Sequence, residues 1–234
     1  MKPKLIIFAS GTKDGGGSGF ENLVAASRNG LSLASARDNS LQHSELDADV
    51  VAVVSNHEHG GVRERADRLG VPFIFFPGPY DAEHYSSVLQ NTRIDWTALS
   101  GWLKQVKGLD PQRTFNIHPA LLSQLDGRFG GHGMYGQHVH EAVKTALDAG
   151  EITELGFTMH FVTDELDRGP AFFEYRIPLQ KGVTADDIEK TVRAAEHEWQ
   201  PKITNMVVRG EIAWDGENQK SLVVPEGYKY LPKT

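Results

Sequence analysis

Four short segments of this 234-residue chain carry side chains whose types and spacing can do chemistry. In Phe115-Asn116-Ile117-His118-Pro119, a strand puts Asn116 and His118 on one face, because strand side chains alternate with period two. An amide donor beside an imidazole at a strand end can stabilise an oxyanion and move a proton. From spacing alone, the pair reads equally as two hydrogen-bonded structural polar groups. In His160-Phe-Val-Thr-Asp164-Glu-Leu-Asp167-Arg-Gly-Pro170, three acids crowd a short turn after an apolar strand. Mutual repulsion can raise the pKa of one of them and give a general acid or base. A solvated charged loop is the plainer reading, and a calcium loop lacks the rest of its EF-hand spacing.

The third segment, Ser10-Gly-Thr-Lys-Asp-Gly-Gly-Gly-Ser-Gly-Phe-Glu-Asn22, lies between an apolar run and a helical stripe. Its glycines let backbone N–H groups turn toward an anion, and a helix N-terminus adds a favourable field. Its place after the first strand of a parallel sheet points to phosphate binding, where a glycine-rich loop alone is only a flexible turn. It is neither a P-loop nor a clean dinucleotide fingerprint. The fourth is Glu196-His197. Ile188, Val192, Ala195 and Trp199 make a buried stripe on a long helix, and Glu196 borders it. A carboxylate there needs a cationic partner, either a protein Lys or Arg or a substrate amine. His57 and His59, His138 and His140, and His132 are close in sequence, but none forms a specific ligand set, so no metal is expected. Gly130 to Gly136 reads as a loop near a site.

The elements that must carry these segments follow from periodicity. Leu5–Ala9 is a strand, followed by a helix with Phe20, Leu23, Val24 and Ser27 on one face, ended by Asn29-Gly30. Leu31 to Asp47 is polar and aperiodic, a surface loop. Val50–Val54 is a buried parallel strand. Val62, Ala66 and Leu69 make a stripe stopped by Gly70. Phe73–Phe76 is a third strand, Asp81 caps a helix carrying Tyr85, Val88 and Leu89, and Ile94–Leu99 is a fourth strand. This order predicts an α/β, Rossmann-like fold, a mostly parallel sheet flanked by helices. The second half adds a C-terminal antiparallel extension. Thr114–His118 is a strand, residues 137–148 a helix, and Leu155–Thr163 and Ala171–Leu179 two strands joined by the acidic turn. Thr184 and Asp187 form a capping box opening a helix that reaches Val208, with Pro201 as a kink or break. Asp215-Gly216 marks a final turn of hairpin type. No Pro/Ser-rich linker divides the chain, so residues 1–234 read as a single domain, with a nucleotide-binding half at 1–113 and a catalytic half at 114–234.

Composition narrows the function classes. There is no cysteine, which excludes disulfides, Cys-ligated metals and a thiol nucleophile, and fits a cytoplasmic location. The formal net charge of −7 argues against a nucleic-acid partner. No run of eighteen apolar residues implies a membrane span. The start MKPKLIIFAS resembles a signal peptide, but its apolar run is short and leads straight into the glycine-rich loop, as a first buried strand does.

Together the segments resemble the glycinamide ribonucleotide formyltransferase family, within the formyl-group transferases that use 10-formyltetrahydrofolate. The resemblance spans nearly the whole chain in order. Its most specific parts are Asn116-Ile-His118-Pro-Ala-Leu-Leu122 and His160-Phe-Val-Thr-Asp-Glu-Leu-Asp167. It implies catalytic roles for Asn116, His118 and Asp167. It implies phosphate binding at Gly17, Ser18 and Gly19, and an amine-side contact at Glu196. It implies folate binding at Trp102, Leu103, Lys104 and Val106 of Ser100-Gly-Trp-Leu-Lys-Gln-Val106, and at Thr163 and Asp164. The co-substrate implied is 10-formyltetrahydrofolate, with small-molecule substrates, no nucleic acid or membrane partner, and a monomer or homodimer. The chain departs from the family pattern in its longer loop after Gly11, in Lys104 for a common arginine, in Arg168 for a usual glycine, and in the Leu31–Asp47 insertion.

The resemblance also names rivals. Methionyl-tRNA formyltransferase adds a C-terminal RNA-binding domain for which this chain has no room. Formyltetrahydrofolate hydrolase adds an N-terminal regulatory domain. A sugar-nucleotide formyltransferase, or a non-catalytic ligand-binding module of the same fold, stays open.

Overall fold

The run Lys-Leu-Ile-Ile-Phe builds β1 (Lys4–Phe8), and its period of two serves both faces of the sheet. Leu5 and Ile7 face one apolar cluster, Ile6 and Phe8 the other, and all four are fully buried. A strand buried on both faces must be covered by helices on both sides. The computed structural model describes residues 1–13, 15–29, 46–90, 93–178 and 182–233. Along them follow α1 (Ser18–Asn29), β2 (Asp49–Ser55), α2 (Gly61–Leu69), β3 (Phe73–Phe75), α3 (Ala82–Gln90), β4 (Trp96–Ser100), β5 (Thr114–His118), α4 (Gln137–Ala149), β6 (Glu154–Phe161), β7 (Ala171–Pro178) and α5 (Ala185–Val208).

The seven strands form one sheet in the order β3-β2-β1-β4-β5-β6-β7. The first five are parallel, and β6 and β7 are antiparallel to their neighbours. This is a Rossmann-like sheet with an antiparallel C-terminal extension. The chain runs outward from β1 to β3, then returns to place β4 on the other side of β1. The connections that leave the carboxyl ends of β1 and β4 therefore lead to opposite sides of the sheet, which opens a crevice between them. Residues from α1, α2, α4 and α5 fill the larger cluster, and Tyr85 of α3 anchors the smaller one.

Local signals explain most boundaries. Gly70 takes the left-handed conformation after α2 and stops it. The Asp81 carboxylate accepts from the His84 N–H at the head of α3. The Thr184–Asp187 capping box is present at the head of α5. β3 runs to Phe75, the Phe76 N–H still donates to the Ser55 carbonyl, and Pro77, which has no N–H, ends the ladder there. The expected hairpin at Asp215-Gly216 reduces to one bridge, Ala213 to Val223, because the Asp215 carboxylate accepts from the N–H groups of Glu217 and Asn218 and curls the chain. Of the expected insertion, residues 31–45 lie outside the described residues, as does Gly30. Leu46 is buried, and the Asp47 N–H donates to Asn205. No helix among the described residues is long and apolar enough to cross a membrane.

The expectation of a break at Pro201 is corrected: α5 runs through it to Val208. Proline has no N–H, so the carbonyl four residues back, that of His197, loses its helical donor. Asn22 of α1 supplies one instead, donating from Nδ2 to the His197 carbonyl at 2.7 Å. The gap in the α5 ladder is thus the point where α1 is fastened to α5.

Removing that donor leaves a part-buried carbonyl unpaired, which costs about 1–3 kcal/mol. Asn22→Leu should lower unfolding stability by that amount in denaturant titration. Pro201→Ala restores the missing N–H, so the double variant should recover more than half of the loss. Independent, additive effects would show that the two groups do not share the carbonyl.

Candidate active site

A cavity of about 560 Å³ opens at the crevice. The head of α1, the segment after β4, the end of β5, the loop at 131–136 and one face of α5 line it. On α5 the lining residues are Glu189, Val192, Arg193, Glu196, His197 and Gln200, a helical spacing that marks a single face.

At the β5 end, Asn116, His118 and Asp167 meet. His118 is 4% exposed. Its Nε2 lies 2.6 Å from the Phe129 carbonyl oxygen, which only accepts, so Nε2 carries the proton and Nδ1 is the free nitrogen. Nδ1 lies 3.7 Å from Asp167 Oδ2. Burial pulls the His118 pKa below its ordinary value and outweighs the opposing pull of Asp167 and the Phe129 carbonyl. Asp167 is a left-handed residue, φ 54°, which aspartate tolerates better than most. Gly130 leaves room for it, since a Cβ there would meet the Asp167 Cβ at 3.1 Å. Burial pushes the Asp167 pKa up, but the His160 and His118 rings and the Gly131 N–H, donated at 2.9 Å, hold it at about 2. The carboxylate is therefore ionised in a nearly closed setting. The expectation that crowding by its own acidic turn would raise a pKa there fails for Asp167, because imidazoles rather than acids surround it.

At the other end of the cavity the glycine-rich loop reaches the head of α1. Gly16 and Gly17 are both left-handed. Within the longer loop Thr12 and Gly15 bridge to each other, and the Gly61 N–H donates to the Thr12 carbonyl. A Cβ on Gly61 would meet the Gly15 carbonyl oxygen at 2.3 Å, and one on Gly19 would meet Ser100 Oγ at 2.3 Å. These glycines are needed for close approach. The N–H groups of Ser18, Gly19 and Phe20 head α1, where a helix leaves its first N–H groups without helical acceptors, and Gly17, Ser18 and Gly19 line the cavity. His197 Nε2 lies 3.1 Å from Ser18 Oγ.

Glu196 lines the cavity between these two ends. It has no hydrogen-bond partner among the described residues. Burial raises its pKa to about 8, against a weaker pull from Arg193. Arg193 itself pairs with Glu189, so the protein does not supply the expected cation.

The residues expected to hold folate divide. Trp102, Leu103 and Lys104 line the main cavity. Trp102, Lys104, Val106 and Thr163 line a side pocket of about 50 Å³ that also touches Asn116 and Asp167. Trp102 and Val106 are buried in the smaller core cluster, where Trp102 donates to Tyr85. Asp164 lines neither cavity; its carbonyl and carboxylate accept from Gln105 and Gly108 and tie the acidic turn to the segment after β4. Lys104 sits over the Tyr80 ring at 5.5 Å. Arg168 is exposed and lies against Gly127, where a Cβ would meet its guanidinium.

Sequence reasoning missed several lining groups. Ser100 and Gln200 hydrogen-bond to each other beneath Gly19. His140 is buried, with Nδ1 unpartnered, and burial lowers its pKa. Its place on the helix after the 130–136 loop was the available signal. Among the described residues no group of three or more His, Cys, Asp or Glu side chains is placed to hold a metal.

Comparison with known proteins adds to this geometry. The family described as formyl transferase matches residues 21–204. The chloroplastic phosphoribosylglycinamide formyltransferase of Arabidopsis thaliana is 30% identical over 224 residues, covering 91% of this chain and 68% of that protein. The phosphoribosylglycinamide formyltransferase of Bacillus subtilis is 27% identical over 224 residues, covering 90% of this chain and 99% of that protein. Among solved structures, glycinamide ribonucleotide transformylase 1 from Symbiobacterium toebii superposes with a TM-score of 0.73 at 25% identity, covering 96% of this chain and 95% of that one.

The raised Glu196 pKa has a consequence for stability. Between the ordinary carboxylate value of 4.5 and about 8, the unfolded chain releases the proton while the folded chain keeps it, so stability falls as pH rises through that window. Glu196→Gln has no such loss. Without ligand, this variant should melt higher than the parent at about pH 9, by on the order of 3 kcal/mol, and the gap should close toward about pH 4. Parallel melting curves at every pH would refute a desolvated carboxyl at this position.

Proposed function

Because the chain belongs to the formyl transferase family, we propose that it transfers the formyl group of 10-formyltetrahydrofolate to the amine of glycinamide ribonucleotide, a step of de novo purine synthesis. The Arabidopsis and Bacillus relatives, both phosphoribosylglycinamide formyltransferases, support this reading. The observation that carries it is the layout of the cavity, with Asn116, His118 and Asp167 at one end and the open N–H groups of α1 at the other. A ribonucleotide with a phosphate at one end and an amine at the other fits that span.

The co-substrate supplies the formyl carbon. As the amine adds to it, the formyl oxygen gathers negative charge, and an Asn116 N–H donates to that oxygen. His118 takes the amine proton at Nδ1, the nitrogen its Phe129 contact leaves free. Asp167, ionised and 3.7 Å away, balances the imidazolium that results. The proton then passes to the folate nitrogen as its bond to the formyl carbon breaks. Backbone N–H groups at Gly17, Ser18 and Gly19 hold the phosphate, and Glu196 holds the amine side. Trp102, Leu103, Lys104, Val106 and Thr163 hold the folate, with Asp164 bracing them through Gln105 and Gly108. This chemistry requires no metal. The enzyme acts on small molecules, as a monomer or homodimer in the cytoplasm. The acidic charge balance disfavours a tRNA substrate.

Asp167→Asn and His118→Ala should each lower kcat at least about 100-fold in a folded protein, read as formylated product by mass. Near-normal turnover in either would overturn the mechanism. A parent enzyme that formylates an aminosugar nucleotide or charged initiator tRNA and ignores glycinamide ribonucleotide would overturn the substrate but keep the formyl transfer.

The two ends of the cavity should also separate kinetically. At Gly17 a Cβ would meet Val62 at 2.9 Å on a left-handed backbone, so Gly17→Leu must move the loop. Gly17→Leu and Glu196→Gln should each raise KM for the ribonucleotide about tenfold or more, while the Kd of a folate analogue, by direct titration, changes little. Equal weakening of both ligands would contradict the assignment.

A further inference from the structure

His160 sits opposite Asn116 in the antiparallel pairing of β6 with β5, is 2% exposed, and has no part in the chemistry above. We propose that His160 is a positioning residue of the reaction: its ring chooses which way the Asn116 amide faces and so keeps an N–H of Asn116 free for the formyl oxygen. The proposal rests on the reading of Asn116 as the oxyanion donor.

The argument begins at the far side of the ring. His160 Nδ1 lies 2.8 Å from the Phe161 carbonyl oxygen. A carbonyl only accepts, so Nδ1 carries the proton, and in the neutral ring Nε2 is left with a lone pair. That lone pair lies 3.1 Å from Asn116 Nδ2. It attracts an amide N–H. With the amide turned over, Oδ1 would face it, setting two acceptors against each other in a buried place, where an unmet acceptor is costly. The tautomer of His160 therefore fixes the rotamer of Asn116. One N–H of Nδ2 is spent on the ring, and the second remains for the cavity that Asn116 lines.

The same nitrogen faces the third member of the group. Nε2 lies 3.5 Å from Asp167 Oδ1, while Asp167 Oδ2 is occupied by the Gly131 N–H and faces His118. Nε2 has one orbital in the plane of the ring, so it serves either Asn116 as acceptor or Asp167 as donor, never both. His160 thus joins the oxyanion donor to the carboxylate from the wall of the side pocket.

Two amide replacements separate this role from that of a buried anchor. His160→Gln places an amide oxygen near the Nε2 position and keeps an acceptor for Asn116. His160→Asn reproduces the Nδ1 contact with the Phe161 carbonyl but has nothing at Nε2. The proposal expects His160→Asn to lower kcat at least about 30-fold with both KM values within about threefold, and His160→Gln to stay within about fivefold of the parent. His160→Asn equal to or better than His160→Gln, or a loss carried by KM, overturns it. Turnover by the parent reports on formyl transfer itself, and the ratio of the two variants reports on His160, so the two failures are distinguishable. A measurement without His160 variants stands beside this one. In the parent labelled with 15N-histidine, the His160 ring should show the Nδ1-protonated pattern, with Nε2 shifting in Asn116→Ala; a neutral ring protonated at Nε2 overturns the proposal.

Discussion

An ionised carboxylate with only 9% of its side chain exposed must be solvated by the protein, and the way Asp167 is solvated constrains everything around it. Its oxygens need donors or positive charge from several directions at once. One comes from the 130–131 turn, through the Gly131 N–H. The His118 ring of β5 and the His160 ring of β6 flank it at 3.7 and 3.5 Å and become cationic neighbours whenever they take up a proton. The strand pairing that puts Asn116 beside His160 brings the two rings to the same carboxylate. The left-handed backbone at Asp167 and the bare Cα of Gly130 are what let the acidic turn reach between them. The antiparallel β6 and β7 are therefore more than an extension of the parallel sheet, since they deliver both His160 and the turn that ends in Asp167.

The rest of the site depends on where α5 lies. Its inner face lines the cavity between the Asn116, His118 and Asp167 group and the glycine-rich loop, and its position relative to α1 is set where Pro201 leaves the His197 carbonyl open for Asn22. Next to that clasp, Gln200 donates to Ser100 at the end of β4, and Gly19 packs on both. The glycine-rich end of the cavity and the face of α5 that carries Glu196 are thus held by one set of contacts around a missing hydrogen bond.

Period and capping made most of the fold legible in the sequence. Val50–Val54 reads as a buried strand, Thr114–His118 matches β5 to the residue, and the Thr184–Asp187 box opens α5 as expected. Local signals could not reveal partners that the topology supplies. Pro201 reads as a break because its compensating donor is 179 positions earlier on another helix. His160 reads as a strand residue because its relation to Asn116 exists only once the register is known. The acidic turn reads as a place for a raised pKa, because sequence shows its three acids and hides the two imidazoles. Asp164 reads as a ligand contact, yet its carboxylate is engaged with the chain after β4. Asn116 and His118 are marked by their period-two spacing and Asp167 by the family resemblance, and the three do meet at the β5 end.

Two carboxylates in the cavity are pushed in opposite directions, Asp167 to about 2 and Glu196 to about 8, and such a split assigns roles. Near neutral pH, Asp167 is charged and Glu196 is largely a neutral acid. The difference suits an amine acceptor. An amine attacks a formyl carbon only through its lone pair, so it must arrive unprotonated. An ionised glutamate beside it would hold it as ammonium and silence it. A neutral Glu196 can hydrogen-bond the substrate without raising the basicity of its amine. In the proposed mechanism the negative charge is kept instead at Asp167, behind His118, where it would stabilise an imidazolium after the proton has left the nucleophile. The half-buried place of Glu196 on the cavity wall, without an ion pair, is in this reading what keeps the nucleophile free.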